Sequence, residues 1–258
     1  MAYKSSKIDK NNSFRFIFED LNMQSIKKDK TVTLPFKHPI AQQLYKVLRA
    51  KAGDKVILIN KIYTNDETKP IEAIFKIIEI RNNSINLGLL NIRENDNEPD
   101  KNVSLFLCLP NKPQKLELIV QKAVELGVYQ INLIRSQYSQ YKHQLKESRL
   151  QKIIEEAVEQ SERSKIPIIN IESENLIDYL KKKQDHSKTY VAIARRDIPS
   201  VKTLIPFPEA NLLIGPEGGF SPAEMDMISK NKLNQYSLGK RILRTETAAI
   251  LSLGIATL

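Results

Sequence analysis

Two rhythms of apolar and polar residues divide the chain. In its first third, short runs rich in Ile, Val and Phe recur at Phe14–Phe18, Lys55–Ile59, Ile71–Ile80 and Ser84–Leu89, broken by Gly53-Asp54 and Arg81-Asn82-Asn83. β-Branched and aromatic residues between turn formers predict strands. One helical spacing interrupts them: Ala41, Leu44, Tyr45 and Leu48 stand at i, i+3, i+4 and i+7 ahead of Gly53. The pattern predicts a small β-barrel-like domain over 14–92, behind a loose polar tail over 1–13. Residues 93–102 contain no aliphatic or aromatic side chain and are expected to form a domain linker.

Beyond the linker the rhythm becomes strand, helix, strand, helix. Val103–Cys108, Ile131–Ile134, Ile168–Ile171, Tyr190–Ala194 and Leu212–Ile214 are continuous apolar runs of the buried-strand type. Leu116, Ile119, Val120, Ala123 and Val124 trace one helical face, which Gly127 should close. Leu150, Ile153, Ile154, Ala157 and Val158 trace another, opposed by Glu155, Glu156 and Glu159. Such alternation predicts an α/β domain over 103–258, built on a mostly parallel sheet covered by helices.

Composition narrows the class. Of 258 residues 41% are apolar and 27% charged, enough for a real core. No run approaches the roughly 18 apolar residues of a membrane helix. The start, Met1-Ala2-Tyr3-Lys4, has no apolar run behind it, so no secretory leader is expected. Cys108 is the single cysteine and no Cys/His spacing suits a metal, which points to a reducing, cytoplasmic setting without metal. The net charge of +10 is uneven: residues 1–95 hold 17 Lys/Arg against 10 Asp/Glu, and the remainder 23 against 20. A basic first third suits a polyanion, although surplus lysine also serves solubility.

Chemistry concentrates near the C-terminus. Leu212-Leu213-Ile214-Gly215-Pro216-Glu217-Gly218-Gly219-Phe220-Ser221-Pro222-Ala223-Glu224 runs from an apolar strand into a loop with three of the eight glycines. It then enters a helix through a capping box, with Ser221 as N-cap, Pro222 at N1 and Glu224 at N3. In open parallel sheets, ligands lie at the carboxyl ends of strands, where this loop must be. It matches neither the Walker loop nor the Gly-x-Gly-x-x-Gly fingerprint. A tight turn without ligand would have the same glycines. Gln235–Leu238 reads as another strand, followed by Gly239-Lys240-Arg241-Ile242-Leu243-Arg244 and a terminal helix with Thr245 as expected N-cap. The two loops are expected to end adjacent strands and to share one ligand.

These two stretches, Leu213–Ser221 and Leu238–Ala248, resemble the RsmE family of RNA methyltransferases in the knotted SPOUT superfamily. Gln121-Lys122-Ala123-Val124-Glu125-Leu126-Gly127-Val128, Glu159-Gln160-Ser161 with Arg163 and Pro167, and Val47-Leu48-Arg49 with Gly53 and Asp54 extend the resemblance over nearly the whole chain. The resemblance implies an N-terminal PUA-like RNA-binding barrel and a SPOUT α/β domain with a deep C-terminal trefoil knot. It implies a homodimer that binds S-adenosyl-L-methionine and methylates uridine N3 in 16S ribosomal RNA of the small ribosomal subunit. By the same resemblance Leu213, Ile214, Gly215, Pro216, Gly218, Gly219, Leu238, Gly239, Ile242, Leu243, Arg244 and Thr245 would hold the cofactor. Arg15, Arg49 and Arg241 would contact RNA.

The chain departs from the family pattern in places. Ser136-Gln137-Tyr138-Ser139 stands where the family usually has Ser/Thr-Glu-Arg-Ser, Glu162 where Gly is common, and Gln42-Gln43 where histidines are frequent. Methylation at N3 requires loss of the imide proton, and a cation beside O2 or O4 would stabilise the anion that develops. Arg244 is the first candidate for that cation and Arg163 the second. Glu246 is a candidate proton acceptor or arginine partner, with helix capping as the competing role. A non-catalytic RNA-binding protein and a SPOUT enzyme acting on another RNA are the alternatives.

Overall fold

The computed structural model describes residues 13–19, 29–95, 97–182, 185–194, 199 and 209–257; apart from Ser13, the expected tail over 1–13 lies outside the described residues. Two compact units emerge, one within Met1–Ile62 and Glu67–Asp96, the other within Tyr63–Asp66 and Asn97–Leu258.

In the first unit β1 (Ser13–Phe18), β2 (Thr31–Pro35), β3 (Lys55–Asn60), β4 (Ile71–Ile80) and β5 (Ser84–Glu94) form one sheet in the order β1-β3-β4-β5-β2. β1 runs parallel to β3 and the other pairs are antiparallel. Inward residues Phe16, Leu34, Val56, Leu58, Phe75, Ile77, Ile85 and Leu87 form the core with Ala41 and Leu44. The helical spacing at Ala41 becomes one short α-helix, α1 (Pro39–Gln42), which widens into a π-turn over Gln43–Val47. Only Ala41 and Leu44 of that face are buried; Tyr45 is half exposed. The widened turn rotates Tyr45 off the apolar stripe that a regular 3.6-residue spacing would have kept.

The segment expected to be a linker is engaged at both ends. β5 continues through Glu94, and Arg93 and Asn95 both donate to the buried Glu72 carboxylate. Further on, Glu98 accepts from Arg163, Ser164 and Lys165. A run without apolar residues reads as solvated, but its partners here are polar too.

Among its described residues the second unit has a six-stranded, wholly parallel sheet in the order β11-β9-β10-β6-β7-β8. Its strands are β6 (Asn102–Cys108), β7 (Gln130–Arg135), β8 (Ile168–Asn175), β9 (Thr189–Ala192), β10 (Glu209–Ile214) and β11 (Asn234–Tyr236). The helices are α2 (Pro113–Glu125), α3 (Glu147–Gln160), α4 (Leu176–Lys182), α5 (Pro222–Lys230) and α6 (Thr245–Thr257). Alternating strand residues divide between two faces. Phe106, Cys108, Ile134, Val191 and Leu213 pack with Leu176 and Leu180 of α4 and Ile228 of α5. α6 packs instead on β6, β10 and α2, with α3 beside α2. The predicted faces of α2 and α3 are both buried, each large side chain contributing about 1.5–3 kcal/mol. Gly127 closes α2 in a left-handed conformation at φ +82°, where a Cβ would also strike Pro99.

Candidate active site

Gly215–Phe220 leaves β10 and enters α5 through the expected capping box. The Ser221 hydroxyl accepts from the Glu224 amide at 3.3 Å, and the Ser221 amide donates to Glu224 Oε2 at 2.8 Å. The other carboxylate oxygen of this buried glutamate accepts from the Gln137 amide at 2.8 Å. One side chain therefore pins the loop after β10 to the turn after β7.

A cavity of about 460 Å³ opens at the carboxyl edge of the sheet. It brings together Ile214, Gly215, Pro216, Gly219, Leu238, Gly239, Arg241, Ile242, Leu243, Arg244 and Thr245 from the two expected loops. β10 and β11 are not neighbours, contrary to expectation: β9 runs between them. Its carboxyl end supplies Ala192, Ile193 and Ala194 to the cavity wall. Small apolar residues without glycine or charge carry no sequence signal for this role. Glu217, Phe220, Met225 and Ala248 complete the lining.

Two residues expected to hold the cofactor through their backbone, Leu213 and Gly218, are not among those lining the cavity. The Leu213 side chain points into the core beneath α4 and α5, since a strand alternates its faces. Gly218 faces Tyr138, and a Cβ on it would lie 2.9 Å from the tyrosine Cβ. Close packing of the two loops thus requires a glycine there.

The expected cap also shifts by one residue. The Arg244 carbonyl accepts from the Ala248 amide at 2.8 Å, which makes Arg244 the cap and Thr245 the first residue of α6. Arg244 and Arg241 line the cavity with exposed side chains and make no ion pair among the described residues. Beside them Glu217 accepts from Lys115 at 2.6 Å and from the Asn111 amide at 3.1 and 3.3 Å. Burial alone would raise the Glu217 carboxyl, but the Lys115 hydrogen bond, backbone amides and the ammonium charge outweigh it and hold it below the usual range. Glu246 lies 4.0 Å from the same ammonium, and its Oε2 is buried without a hydrogen-bond partner.

Two arginines are corrected. Arg163 is buried, with its guanidinium donating to Glu98 at 2.5 Å and to the carbonyls of Val124 and Val128. It ties the end of α3 to the end of α2, outside the cavity lining, and is not a candidate for the catalytic cation. The preceding Glu162 has φ +59°, which accounts for glycine being suited to that position. Arg15 is ion-paired with buried Glu72 and only 7% of its side chain is exposed, which removes it from the candidate RNA contacts. Arg49 remains exposed.

A family model described as the RNA methyltransferase domain matches residues 97–257, the whole second unit apart from its Tyr63–Asp66 excursion and the terminal residue. Fold and cavity thus define an α/β protein of the RNA methyltransferase class. The ribosomal RNA small subunit methyltransferase E of Rickettsia conorii is 32% identical over 213 residues, 79% of this chain and 80% of its own. That of Buchnera aphidicola subsp. Schizaphis graminum is 33% identical over 217 residues, 80% of this chain and 82% of its own. A crystal structure of ribosomal RNA small subunit methyltransferase E from Neisseria gonorrhoeae, bound to S-adenosyl methionine, superposes with a TM-score of 0.75 at 25% identity. It covers 94% of this chain and 95% of that one. The chain belongs to the ribosomal RNA small subunit methyltransferase E family.

Proposed function

We propose that this protein transfers a methyl group from S-adenosyl-L-methionine to N3 of a uridine in 16S ribosomal RNA. The observation that carries the reading is the cavity formed by the ends of β9 and β10 and the loop after β11 in a chain of this family. Its volume suits a cofactor-sized ligand. Ile193, Ile214, Leu238, Ile242 and Leu243 offer an apolar wall for an adenine ring, and the loop backbones offer donors and acceptors for polar groups. The bound cofactor would supply a sulfonium-activated methyl carbon, whose carbon–sulfur bond breaks as N3 forms the new bond.

This chain's residues would act on the other reactant. Glu246 Oε2, which has no hydrogen-bond donor and lies 4.0 Å from the Lys115 ammonium, would take the imide proton. Arg244, which makes no ion pair among the described residues, would stabilise negative charge spreading onto the uracil oxygens. Holding base and methyl group in line would lower the barrier by about 7–11 kcal/mol.

The first unit is read as a PUA-like RNA-binding barrel. Between Asp29 and Asp54 the chain carries Lys30, Lys37, Lys46, Arg49 and Lys51 and no acidic residue, which favours a polyanion there. The C-terminal segment is read as a trefoil knot: α6 follows edge strand β11 yet packs on β6, β10 and α2 in mid-sheet. A homodimer accords with Leu118 on α2 and Leu251 on α6, each 40% exposed on neighbouring helices. The reaction would take place on small-subunit RNA in the cytoplasm.

Calorimetric titration with S-adenosyl-L-methionine tests the cofactor, and mass mapping of 16S ribosomal RNA with and without the gene tests the product. Micromolar binding together with loss of one methyl group at a uridine is expected. A folded protein that binds RNA but no cofactor would leave a non-catalytic RNA-binding role.

A further inference from the structure

The π-turn over Gln43–Val47 leaves apolar side chains outside the first unit. Tyr45 is 51% exposed and Val47 is 70% exposed, so burial does not explain either of them. The tyrosine is nevertheless held in place. Its ring stacks on Phe36, with centroids 4.9 Å apart and planes 30° from parallel, and Phe36 packs against the core formed by Leu34, Ala41 and Leu44. The fold thus backs one face of the ring while half of the residue stays open to solvent. Backbone bonds close the turn behind it: the Leu48 amide donates to the Gln43 carbonyl and the Ala50 amide to the Leu44 carbonyl, each at 2.9 Å. A fixed aromatic ring with a free face is a stacking platform for a base.

Charge around this ring is of one sign. Lys37, Lys46, Arg49 and Lys51 are exposed and make no ion pair among the described residues. Elsewhere in the unit Arg15, Lys61, Lys69, Arg81 and Arg93 each meet a carboxylate. Asp54, the next acid along the chain, is buried, and its Oδ2 accepts from the Lys51 amide at 2.8 Å. Arg49 has φ +52°, a left-handed conformation uncommon outside glycine, and it stands between the two amides that close the turn. Its backbone direction is therefore set by the turn. A duplex offers phosphates to such a surface but keeps its bases stacked inside, leaving the ring without a partner. An unpaired nucleotide uses both the cations and the ring.

We propose that this face binds single-stranded RNA, with one unpaired base stacked on the free face of Tyr45; the inference rests on the RNA-binding reading of the first unit. Lys37, Lys46, Arg49 and Lys51 hold the phosphates that flank the stacked base, and Val47 offers the same strand an apolar contact. The first unit then selects unpaired over helical RNA with little regard to sequence, since every base has a π-face.

The test measures fluorescence anisotropy of the full-length protein with two labelled probes, an oligocytidylate of about twelve nucleotides and a blunt RNA duplex of the same length. Cytosine has no imide N3–H, so neither the reaction nor its acceptor base enters the measurement. Tyr45→Ala should weaken single-strand binding about tenfold and leave duplex binding unchanged, while Tyr45→Phe binds as wild type. Lys46→Gln should weaken binding to both probes and make it less dependent on salt. Wild-type single-strand affinity in Tyr45→Ala overturns the inference, and so does an equal loss on both probes. Should Tyr45→Ala melt below the wild type, the wild type decides alone, irradiated with oligocytidylate that contains 5-iodocytidine. Crosslinks on the peptide carrying Tyr45 support the stacking, and crosslinks confined to other peptides overturn it. A changed oligomeric state in Tyr45→Ala with RNA affinity kept assigns the face to a second copy of the chain and overturns it too. If the wild type binds neither probe, the RNA-binding reading falls and this inference with it; if only the Tyr45 variants bind alike, the inference falls alone.

Discussion

The Gln137 amide donates to Glu224 Oε1 at 2.8 Å, while Oε2 of the same buried carboxylate accepts from Ser221. The capping glutamate of α5 thereby fixes the turn after β7 as well as its own helix. Glu224→Ala would leave the buried Ser221 amide and the part-buried Gln137 amide without their acceptor and should lower unfolding stability by about 1–3 kcal/mol. Urea denaturation monitored by circular dichroism measures it.

Gly218 and Tyr138 are matched by close approach. Gly218→Ala forces its Cβ to within 2.9 Å of the Tyr138 Cβ and should cost about 1–3 kcal/mol. The same substitution in a Tyr138→Gly background should cost less. A double-mutant cycle in unfolding free energy reads the difference, and equal costs in both backgrounds would exclude the contact as the cause.

Glu162 holds φ +59° without being glycine. Glu162→Gly should relieve the left-handed strain and raise stability by about 1 kcal/mol, seen as a higher melting temperature. A lower melting temperature would mean that the contacts of the Glu162 side chain matter more than the strain.

Glu217 titrates below the ordinary carboxylate value of 4.5, so its pairing contributes stability at neutral pH. That contribution should be lost as the pH falls below 4.5 through the lower folded-state value. Glu217→Gln should therefore be less stable than wild type at pH 7, with a gap that narrows as the pH falls below 4.5. Denaturant midpoints across that range provide the check.

Arg244→Ala removes an exposed guanidinium that makes no ion pair among the described residues. Methyl transfer should fall by about 100- to 1000-fold, with the melting temperature unchanged. Wild-type turnover in that variant would take Arg244 out of the mechanism.

Much of the second unit was legible along the chain because its signals are local. Apolar runs give buried strands, the 3.6-residue stripes of α2 and α3 give helices, and Ser221-Pro222 with Glu224 gives a helix start. The first unit was read less well at Tyr45, where a π-turn breaks the helical spacing. Resemblance by itself misled at Arg15 and Arg163. Whether a guanidinium meets solvent or a buried carboxylate depends on Glu72 and Glu98, which lie 57 and 65 residues away in the chain.

The amino-acid sequence thus determined the class of fold, the two loops that enclose the cavity and the helix that each loop starts, since those follow from backbone propensity and short-range spacing. Only the tertiary structure decided what lies between the loops. Inserting β9 between β10 and β11 brought Ala192–Ala194 to the cavity. The same strand order placed Asn111 and Tyr138 beside the outer face of the Gly215–Gly219 loop. Strand order in a parallel sheet is fixed by crossover connections and by packing of distant faces, and neither leaves a mark in local residue spacing.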